Sequence, residues 1–285
     1  MSQTISIIMP AYGAKGTIRA AVASLLAQTH TDWTLLLVSD DGVDYEAELG
    51  RAGLADSRIR PMASPYHRSG ASRARNSALD VVSTPYAAIL DADDRLQPRK
   101  LEMALKGLEA APIVSTALTA MTPDFTPLRT VGTGPDRLLT AGAHKWINLS
   151  MDSMIVWDTR VCDGRYDPAL PNMTDLDFLM RLYRTAPASY HLGTPLHDYV
   201  KLGTSMSNGE GVTERMVRAK TMLLDALGRG DYPMADPRGA EGIAAFLTVS
   251  IEAERSYEAA LAERPGLLFE DHLEPLLKAA STAWA

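Results

Sequence analysis

Residues 86–94 read YAAILDADD, a short apolar segment that ends in three carboxylates within four residues. The apolar part, residues 86–90, has the length and character of a buried strand. Asp91, Asp93 and Asp94 would repel one another at a strand end, and a cation would relieve that repulsion. Carboxylate oxygens suit Mg²⁺ or Mn²⁺, and such an ion can bridge to a diphosphate. The alternative is a solvated acidic turn that precedes the next helix.

Apolar strands and helices alternate on the N-terminal side of this acidic turn. The pattern predicts strands over 5–9, 33–38, 59–62 and 86–90, and helices that begin near Thr17, Ser72 and Pro98. This alternation predicts an α/β fold with a mostly parallel sheet that is covered by helices on both faces. Ligands of such sheets bind beyond the carboxyl ends of the strands, where Tyr12, Asp40 and Asp41 stand.

Further along, the pattern is mixed and then helical. It predicts strands over 113–119 and 154–157, a helix over 175–183, a polar loop over 203–211, and helices over 214–227, 240–263 and 273–280. We therefore expect two parts, a catalytic domain over 1–210 and a helical C-terminal extension over 211–285.

Composition narrows the class of protein. Hydrophobic residues make up 46% of the 285, enough for a large core. The net charge of −7 gives no reason to expect a nucleic-acid partner. Cys162 is the single cysteine, which excludes an intrachain disulfide and fits a reducing compartment. No apolar run approaches the ~18 residues of a membrane span, and the N-terminus resembles a first strand more than a signal peptide.

Two polar segments stand where a nucleotide can bind. Asp40-Asp41-Gly42 follows a predicted strand, so a carboxylate there could accept a hydrogen bond from a base; the alternative is an ordinary Asp-Gly turn. Residues 70–76 begin a helix whose N-terminus and arginines could attract phosphate; the alternative is a capped helix with solvated arginines.

Asp175 and Asp177 open a predicted helix. A carboxylate at this position is often only a helix cap, but it could also act as a general base. Thr174 could equally be the cap, which would release Asp175 for chemistry.

Several other signals indicate no chemistry. Residues 13–17 follow a strand but match neither a dinucleotide fingerprint nor a phosphate-binding loop. His191, His197 and Asp198 have no zinc-site spacing, so we expect structural roles for them. Cys162 has no partner typical of a nucleophile and is expected to be buried.

Taken in order, these motifs resemble the family 2 glycosyltransferases of the GT-A fold over about residues 4–210. The segments that carry the resemblance are 5–12, 38–42 (VSDDG), 72–76 (ending in ARN), 89–94 (ILDADD), 166–170 (YDPAL) and 174–182 (TDLDFLMRL). The resemblance implies an inverting, metal-dependent transfer from a nucleoside-diphosphate sugar, with UDP favoured, to a hydroxyl acceptor. The acceptor implied is a glycan or lipid-linked glycan of polysaccharide, glycolipid or cell-envelope synthesis, and the protein is expected in the cytoplasm, either soluble or peripheral to the membrane.

The resemblance also implies roles for single residues. Asp175 is the expected catalytic base, and Asp93 and Asp94 are the expected ligands of Mn²⁺ or Mg²⁺. The expected contacts of the nucleotide sugar are Pro10, Ala11, Tyr12, Asp40, Arg73, Asn76, Asp91 and Asp93. Arg73 and Asn76 belong to the helix start described above.

The sequence departs from the family pattern at four positions. Gly13 replaces a common Asn, Thr174 a Glu, Phe178 a frequent Trp, and Leu202 a histidine near the metal. Thr174 and Leu202 keep open a non-catalytic nucleotide-sugar-binding relative. A sugar-nucleotide nucleotidyltransferase is the other alternative, although residues 13–17 lack the Gly-rich, Arg-containing loop of that class.

The predicted helices after position 211 are amphipathic, and their apolar faces must be shielded from water. Packing onto the catalytic domain is the favoured interpretation, and a homodimer through these helices is the second. Docking on a membrane surface is the third, but the acidic residues of the region would be repelled by anionic lipid. Truncation after about residue 210 is therefore expected to cause aggregation or a change of oligomeric state.

Overall fold

The computed structural model describes residues 3–149, 154–201 and 211–280, which form one ten-stranded sheet flanked by helices. The strands are β1 (Ile5–Ala11), β2 (Trp33–Ser39), β3 (Ile59–Ala63), β4 (Tyr86–Ile89), β5 (Arg95–Leu96), β6 (Ile113–Met121), β7 (Pro127–Val131), β8 (Arg137–Thr140), β9 (Val156–Asp158) and β10 (Ala188–Val200). The helices are α1 (Ile18–Leu26), α2 (Tyr45–Arg51), α3 (Ala71–Leu79), α4 (Lys100–Gly107), α5 (Ala141–His144), α6 (Thr174–Leu182), α7 (Val212–Gly228), α8 (Gly239–Glu263) and α9 (Phe269–Ala280).

The main path of the sheet runs in the order β3-β2-β1-β4-β9-β6-β10-β5. Strands β1 to β4 pair in parallel, and β6 pairs in parallel with β10, while β9 runs antiparallel between β4 and β6. The predicted α/β fold with a mostly parallel sheet is therefore confirmed. Parallel strands place their carboxyl ends at one edge, which is why polar residues from β1, β2 and β4 meet there.

The strands are apolar on both faces because helices cover both faces. Ile5, Ile7 and Met9 of β1 pack in one buried cluster with α1, whereas Ile8 belongs to the cluster on the opposite face with α3. Alternate residues of a strand point to opposite faces, so a strand between two helical layers needs an unbroken apolar run. The predicted buried strands of the N-terminal half are confirmed on this basis.

The C-terminal helices, α7 to α9, share a core with α6. Leu223, Leu247 and Leu273 belong to the same buried cluster as Phe178 and Leu179 of α6. Packing of these helices onto the sheet domain is thus confirmed, while a homodimer through them and the effect of truncation stay predictions. The expected boundary near residue 210 and the predicted 203–211 loop fall almost wholly outside the described residues.

One glycine sets how closely these parts approach. A Cβ atom at Gly242 of α8 would lie 2.4 Å from the Cα of Gly142 in α5, so any side chain at position 242 would force the helices apart. The Trp146 indole also donates to the Gly242 carbonyl at 3.2 Å.

The single cysteine, Cys162, is buried as expected. Among the described residues, no helix has the length and apolar character needed to cross a membrane.

Candidate active site

A cleft of about 1220 Å³ opens at the carboxyl ends of β1, β2 and β4. It brings together most of the residues predicted from the sequence: Pro10, Ala11, Tyr12, Asp40, Asp91, Asp93, Asp94 and Asp175. These residues come from four separate segments of the chain, so the sheet topology has placed them at one edge as expected.

Asp40 is buried and holds the loop that leads into α3. It accepts hydrogen bonds from the backbone N–H groups of Ser69 and Gly70, both at 2.9 Å, and from the Ser69 hydroxyl at 2.6 Å. Burial alone would raise the pKa of Asp40, but these hydrogen bonds outweigh it and lower the pKa, so the carboxylate is charged. The predicted contact between Asp40 and a base stays a prediction.

Asp41 organises the chain that follows β1. Its carboxylate accepts from the Gly13 N–H at 2.7 Å, the Tyr45 hydroxyl at 2.8 Å and the Val43 N–H at 3.1 Å. Gly13 has a left-handed backbone (φ 63°), which is readily adopted by glycine. The two neighbouring aspartates therefore hold two backbone segments that line the cleft, Asp40 at residues 69–70 and Asp41 at Gly13.

The acidic turn after β4 is crowded. Asp91, Asp93 and Asp94 offer carboxylate oxygens that lie within 4.8 Å of one another. Asp91 forms an ion pair of 2.5 Å with Arg75, whose guanidinium is buried. Burial and the neighbouring Asp91 charge raise the pKa of Asp93 to about 6. The raised pKa of Asp93 shows that negative charge is poorly compensated at this turn, which is the condition a divalent cation relieves.

Asp94 differs from Asp93 because the protein occupies both of its oxygens. Oδ1 accepts from the Val200 N–H at 2.8 Å, and Oδ2 lies 3.1 Å from His197 Nε2. Lys100 Nζ lies 2.8 Å from His197 Nδ1, and burial lowers the pKa of Lys100 to about 7. If Lys100 donates to Nδ1, Nε2–H is left to donate to Asp94. Burial lowers the pKa of His197. Burial also raises the pKa of Asp94, and the charges of Asp93 and Asp91 add to this rise.

The expected structural role of His197 is thus explained: it fixes Asp94 and ties the end of β10 to the acidic turn. The two expected metal ligands are not equivalent, since Asp93 lacks these fixed partners among the contacts described. The assignment of Asp94 as a ligand stays a prediction. Leu202, where the family pattern has a histidine, lies outside the described residues.

Asp175 is the second residue of α6 and lines the cleft. The residue before the helix is Met173, with a left-handed backbone (φ 60°) and no capping side chain, so the alternative that Thr174 is the cap is wrong. Asp177 is completely buried and accepts from the Tyr232 hydroxyl at 2.7 Å, the Arg181 side chain at 2.9 Å and the Asp167 N–H at 3.0 Å. The two carboxylates of this segment are thereby separated, one at the cleft and one inside the protein.

Two predicted contacts of the nucleotide sugar, Arg73 and Asn76, do not line the cleft. Arg73 is exposed, and the Asn76 side chain exchanges two 2.9 Å hydrogen bonds with the backbone of Tyr166. The reason is helical geometry: Ser72 and Arg75 lie on the face of α3 that borders the cleft, and Arg73 and Asn76 do not. Contacts of Arg73 and Asn76 with the nucleotide sugar stay predictions. Arg75 is the arginine of this helix that reaches the site.

Sequence reasoning missed the far side of the cleft. Beyond Asp175 the cleft is lined by side chains of the C-terminal helices, among them Lys220, Glu254 and Tyr257. No motif marks these residues, and only the packing of α7 to α9 against the sheet domain brings them to the cleft.

The sheet, the acidic turn and the cleft at the strand ends define a GT-A nucleotide-sugar-binding fold. Residues 6–139 match the family described as Glycosyl transferase family 2. The crystal structure of S. aureus TarS 1-349 in complex with UDP-GlcNAc superposes with a TM-score of 0.68 over 99% of this chain and 82% of that one. At 15% identity this likeness concerns the fold.

Two sequence relatives agree with the fold. The Escherichia coli UDP-Glc:α-D-GlcNAc-diphosphoundecaprenol β-1,3-glucosyltransferase WfgD is 42% identical over 101 residues, 35% of this chain and 39% of WfgD. The putative teichuronic acid biosynthesis glycosyltransferase TuaG of Bacillus subtilis is 29% identical over 210 residues, 72% of this chain and 82% of TuaG. Over residues 6–139 the chain is thus similar to the family 2 glycosyltransferases.

Proposed function

We propose that this glycosyltransferase moves a sugar from a UDP-sugar to a hydroxyl group of a glycan acceptor, with inversion at the anomeric carbon. The observation that carries the proposal is the position of Asp175, which lines the same cleft as the acidic turn and the β1 and β2 ends. A general base, an acidic turn and a cleft that admits both substrates are the parts that such a transfer requires.

The donor is assigned to the end of the cleft between β1, β2 and α3. Tyr12 is 59% exposed at this end, where its ring can cover a base, and Asp40 and Arg68 line the same region. UDP as the nucleotide is supported by WfgD, whose name includes UDP-Glc, and by the TarS complexes with UDP and UDP-GlcNAc.

A divalent cation, Mn²⁺ or Mg²⁺, fits the acidic turn. Asp93 is the first candidate ligand, with Asp94 and Asp91 adjoining it, and the crowding that raises the pKa of Asp93 indicates a place for positive charge. When bound, such an ion supplies positive charge that stabilises a leaving diphosphate.

The reaction assigns one proton transfer to Asp175. Its carboxylate accepts the proton of the acceptor hydroxyl as that oxygen attacks the anomeric carbon. The bond from this carbon to the diphosphate oxygen breaks with its electron pair on the diphosphate, so UDP leaves and the configuration inverts. Arg75 holds Asp91 at the acidic turn through their buried ion pair, so it positions the donor side of the site.

The acceptor is proposed to belong to cell-envelope glycan synthesis. The names of WfgD and TuaG place those relatives in diphosphoundecaprenol-linked and teichuronic acid synthesis. Three further points are part of the proposal. The protein is cytoplasmic and peripheral to the membrane, and it forms a homodimer. Its chain divides into a catalytic domain over 1–210 and an extension over 211–285.

A thermal-shift screen of nucleotide sugars with and without Mn²⁺ tests the donor assignment, because a ligand that binds the folded form raises its stability. We expect UDP-sugars with Mn²⁺ to raise the melting temperature of the wild type and of Asp163→Ala, a control at an exposed aspartate. Asp93→Ala is expected to lose the Mn²⁺-dependent part. Release of UDP with acceptors then separates an enzyme from a protein that only binds; stabilisation without turnover on any acceptor would support the binder.

A further inference from the structure

The cleft that Asp175 lines is also lined by side chains of the C-terminal helices. Its volume of about 1220 Å³ exceeds the roughly 300–1,000 Å³ typical of a pocket for one small ligand. We call the following cleft residues of α7, α8 and α9 the helical wall: Met216, Lys220, Glu254, Tyr257, Glu258 and Phe269. The proposed donor site and the acidic turn lie at the strand ends, so we call the part of the cleft that the helical wall lines its second half.

A buried ion pair forms the polar part of the helical wall. Lys220 Nζ lies 2.5 Å from Glu254 Oε1 and 2.8 Å from the Ser250 hydroxyl, and the side chains of Lys220 and Glu254 are 2% and 6% exposed. A buried ion pair gives little net stability compared with apolar packing, because both charges lose their hydration. Because both residues line the cleft, their polar atoms can also form hydrogen bonds to a ligand there.

Apolar surface lies beside this polar group. The rings of Tyr257 and Phe269 meet edge to face, with centroids 5.3 Å apart, and both line the cleft. Leu261 and Leu128, which also line it, expose 37% and 44% of their surface. Apolar side chains with a few placed polar groups are typical of sites for small amphipathic ligands.

The charges of this half are equal in number, since Lys145, Lys201 and Lys220 line the cleft together with Glu254, Glu258 and Glu270. Lys220 pairs with Glu254 at 2.5 Å, and Lys201 pairs with Glu270 at 2.8 Å. An anionic ligand would meet these carboxylates and would have to displace them from the lysines. Hydroxyl groups, in contrast, can donate to the carboxylates while both ion pairs persist.

We infer that the helical wall binds an uncharged sugar residue at the end of the acceptor, with the reacting hydroxyl directed toward Asp175. The inference rests on the proposed transfer reaction, since it assigns the acceptor half of the same cleft. Lys220 and Glu254 hydrogen-bond the hydroxyls of this sugar, and Tyr257 and Phe269 contact its C–H face.

Methyl NMR on the full chain tests this assignment without turnover. Protein labelled with ¹³C at the methionine methyls is saturated with UDP and Mg²⁺ and titrated with octyl glucoside, octyl galactoside, octyl N-acetylglucosaminide and octyl glucuronide. We expect at least one neutral glycoside to shift the Met216 methyl signal, and the glucuronide to bind at least ~10-fold more weakly. Met222 of the same helix is 39% exposed and away from the cleft, so its signal should not move.

Two exposed positions of α8 supply matched variants. Glu258→Ala removes a carboxylate from the helical wall, and Glu252→Ala removes one that does not line the cleft. We expect the first to weaken glycoside binding ~5- to 10-fold and the second to leave it unchanged, while both keep the wild-type midpoint for UDP.

Two results would overturn the inference: no Met216 shift with any neutral glycoside, or equal effects of the two variants. Tighter binding of the glucuronide would contradict the uncharged ligand. The proposed function fails differently, through absence of UDP binding or absence of transfer from a protein that does bind the glycoside.

Discussion

The two ends of the cleft differ in whether their buried charges are balanced. At the strand ends, three aspartates crowd together and the pKa of Asp93 is raised to about 6. At the helical wall, Lys220 and Glu254 form a closed pair. Unbalanced charge indicates a site completed by a cation and a diphosphate, whereas a balanced pair suits a neutral ligand. On the proposed assignment, the acidic residues at the two ends of this cleft bind different ligands.

The largest effect is expected at the junction of the two ends. Asp175→Asn should lower turnover by roughly 10²- to 10⁴-fold, because the acceptor proton then has no base to receive it. The midpoint for UDP with Mn²⁺, measured by thermal shift, should stay at the wild-type value. Asp163→Asn, at an exposed aspartate, is the control. A parallel loss of UDP binding would assign Asp175 to the structure of α6 instead of to the chemistry.

The next effect concerns the balanced end. Lys220→Met leaves Glu254 buried without its cation, which should lower the free energy of unfolding by about 3–5 kcal/mol in a urea titration. The double variant Lys220→Met with Glu254→Leu should recover most of this loss, since an apolar pair replaces an ion pair of similar size. If the double variant is as unstable as the single one, the ion pair stabilises the fold more than an apolar pair of similar size does.

The third effect concerns the unbalanced end and has the opposite sign. Because burial and Asp91 raise the pKa of Asp93 to about 6, the folded state binds this proton more tightly than the unfolded chain, where the value is about 3.9. The stabilisation is therefore complete below pH ~4 and is lost as pH rises through about 6. Without metal at pH 8, Asp93→Asn should be more stable than the wild type by on the order of 1–2 kcal/mol.

Urea titrations in EDTA at pH 8 and pH 4.5 measure this difference, which should shrink at the lower pH. Mn²⁺ should stabilise the wild type and not the variant. A variant that is less stable than the wild type at pH 8 would show that the carboxylate is well compensated and that the two ends of the cleft do not differ.

The same two ends differ in what the sequence predicts of them. The site at the strand ends can be predicted from local sequence. Apolar runs such as residues 5–9 and 86–90 predict buried strands, and a parallel sheet brings the polar residues that follow them together. Which arginine faces the cleft did not follow from that local sequence. Arg73 and Arg75 lie two residues apart on α3, and only tertiary packing decides which of them is buried.

Strand β10 and the helical wall escaped prediction for physical reasons. The 13 residues of β10 include Gly193 and Pro195, and the register with β6 shifts between Leu192 and His197, so the strand has no regular apolar period. The helical wall depends on contacts between α8, α9 and the sheet domain, and an amphipathic pattern gives no information on what a helix packs against.

The smallest effect concerns the link between the C-terminal helices and the base. Tyr232, between α7 and α8, donates to the buried Asp177 at 2.7 Å, two residues after Asp175. Tyr232→Phe should lower the free energy of unfolding by about 1 kcal/mol, since Asp177 keeps its bonds from Arg181 and Asp167. If α7 and α8 also fix the direction of α6, turnover should fall a few-fold with the KM for the UDP-sugar unchanged. Tyr66→Phe, at a tyrosine that is 69% exposed, is the control. An effect on stability alone would mean that the C-terminal helices support α6 without orienting Asp175, and that the acceptor half of the cleft acts independently of the base.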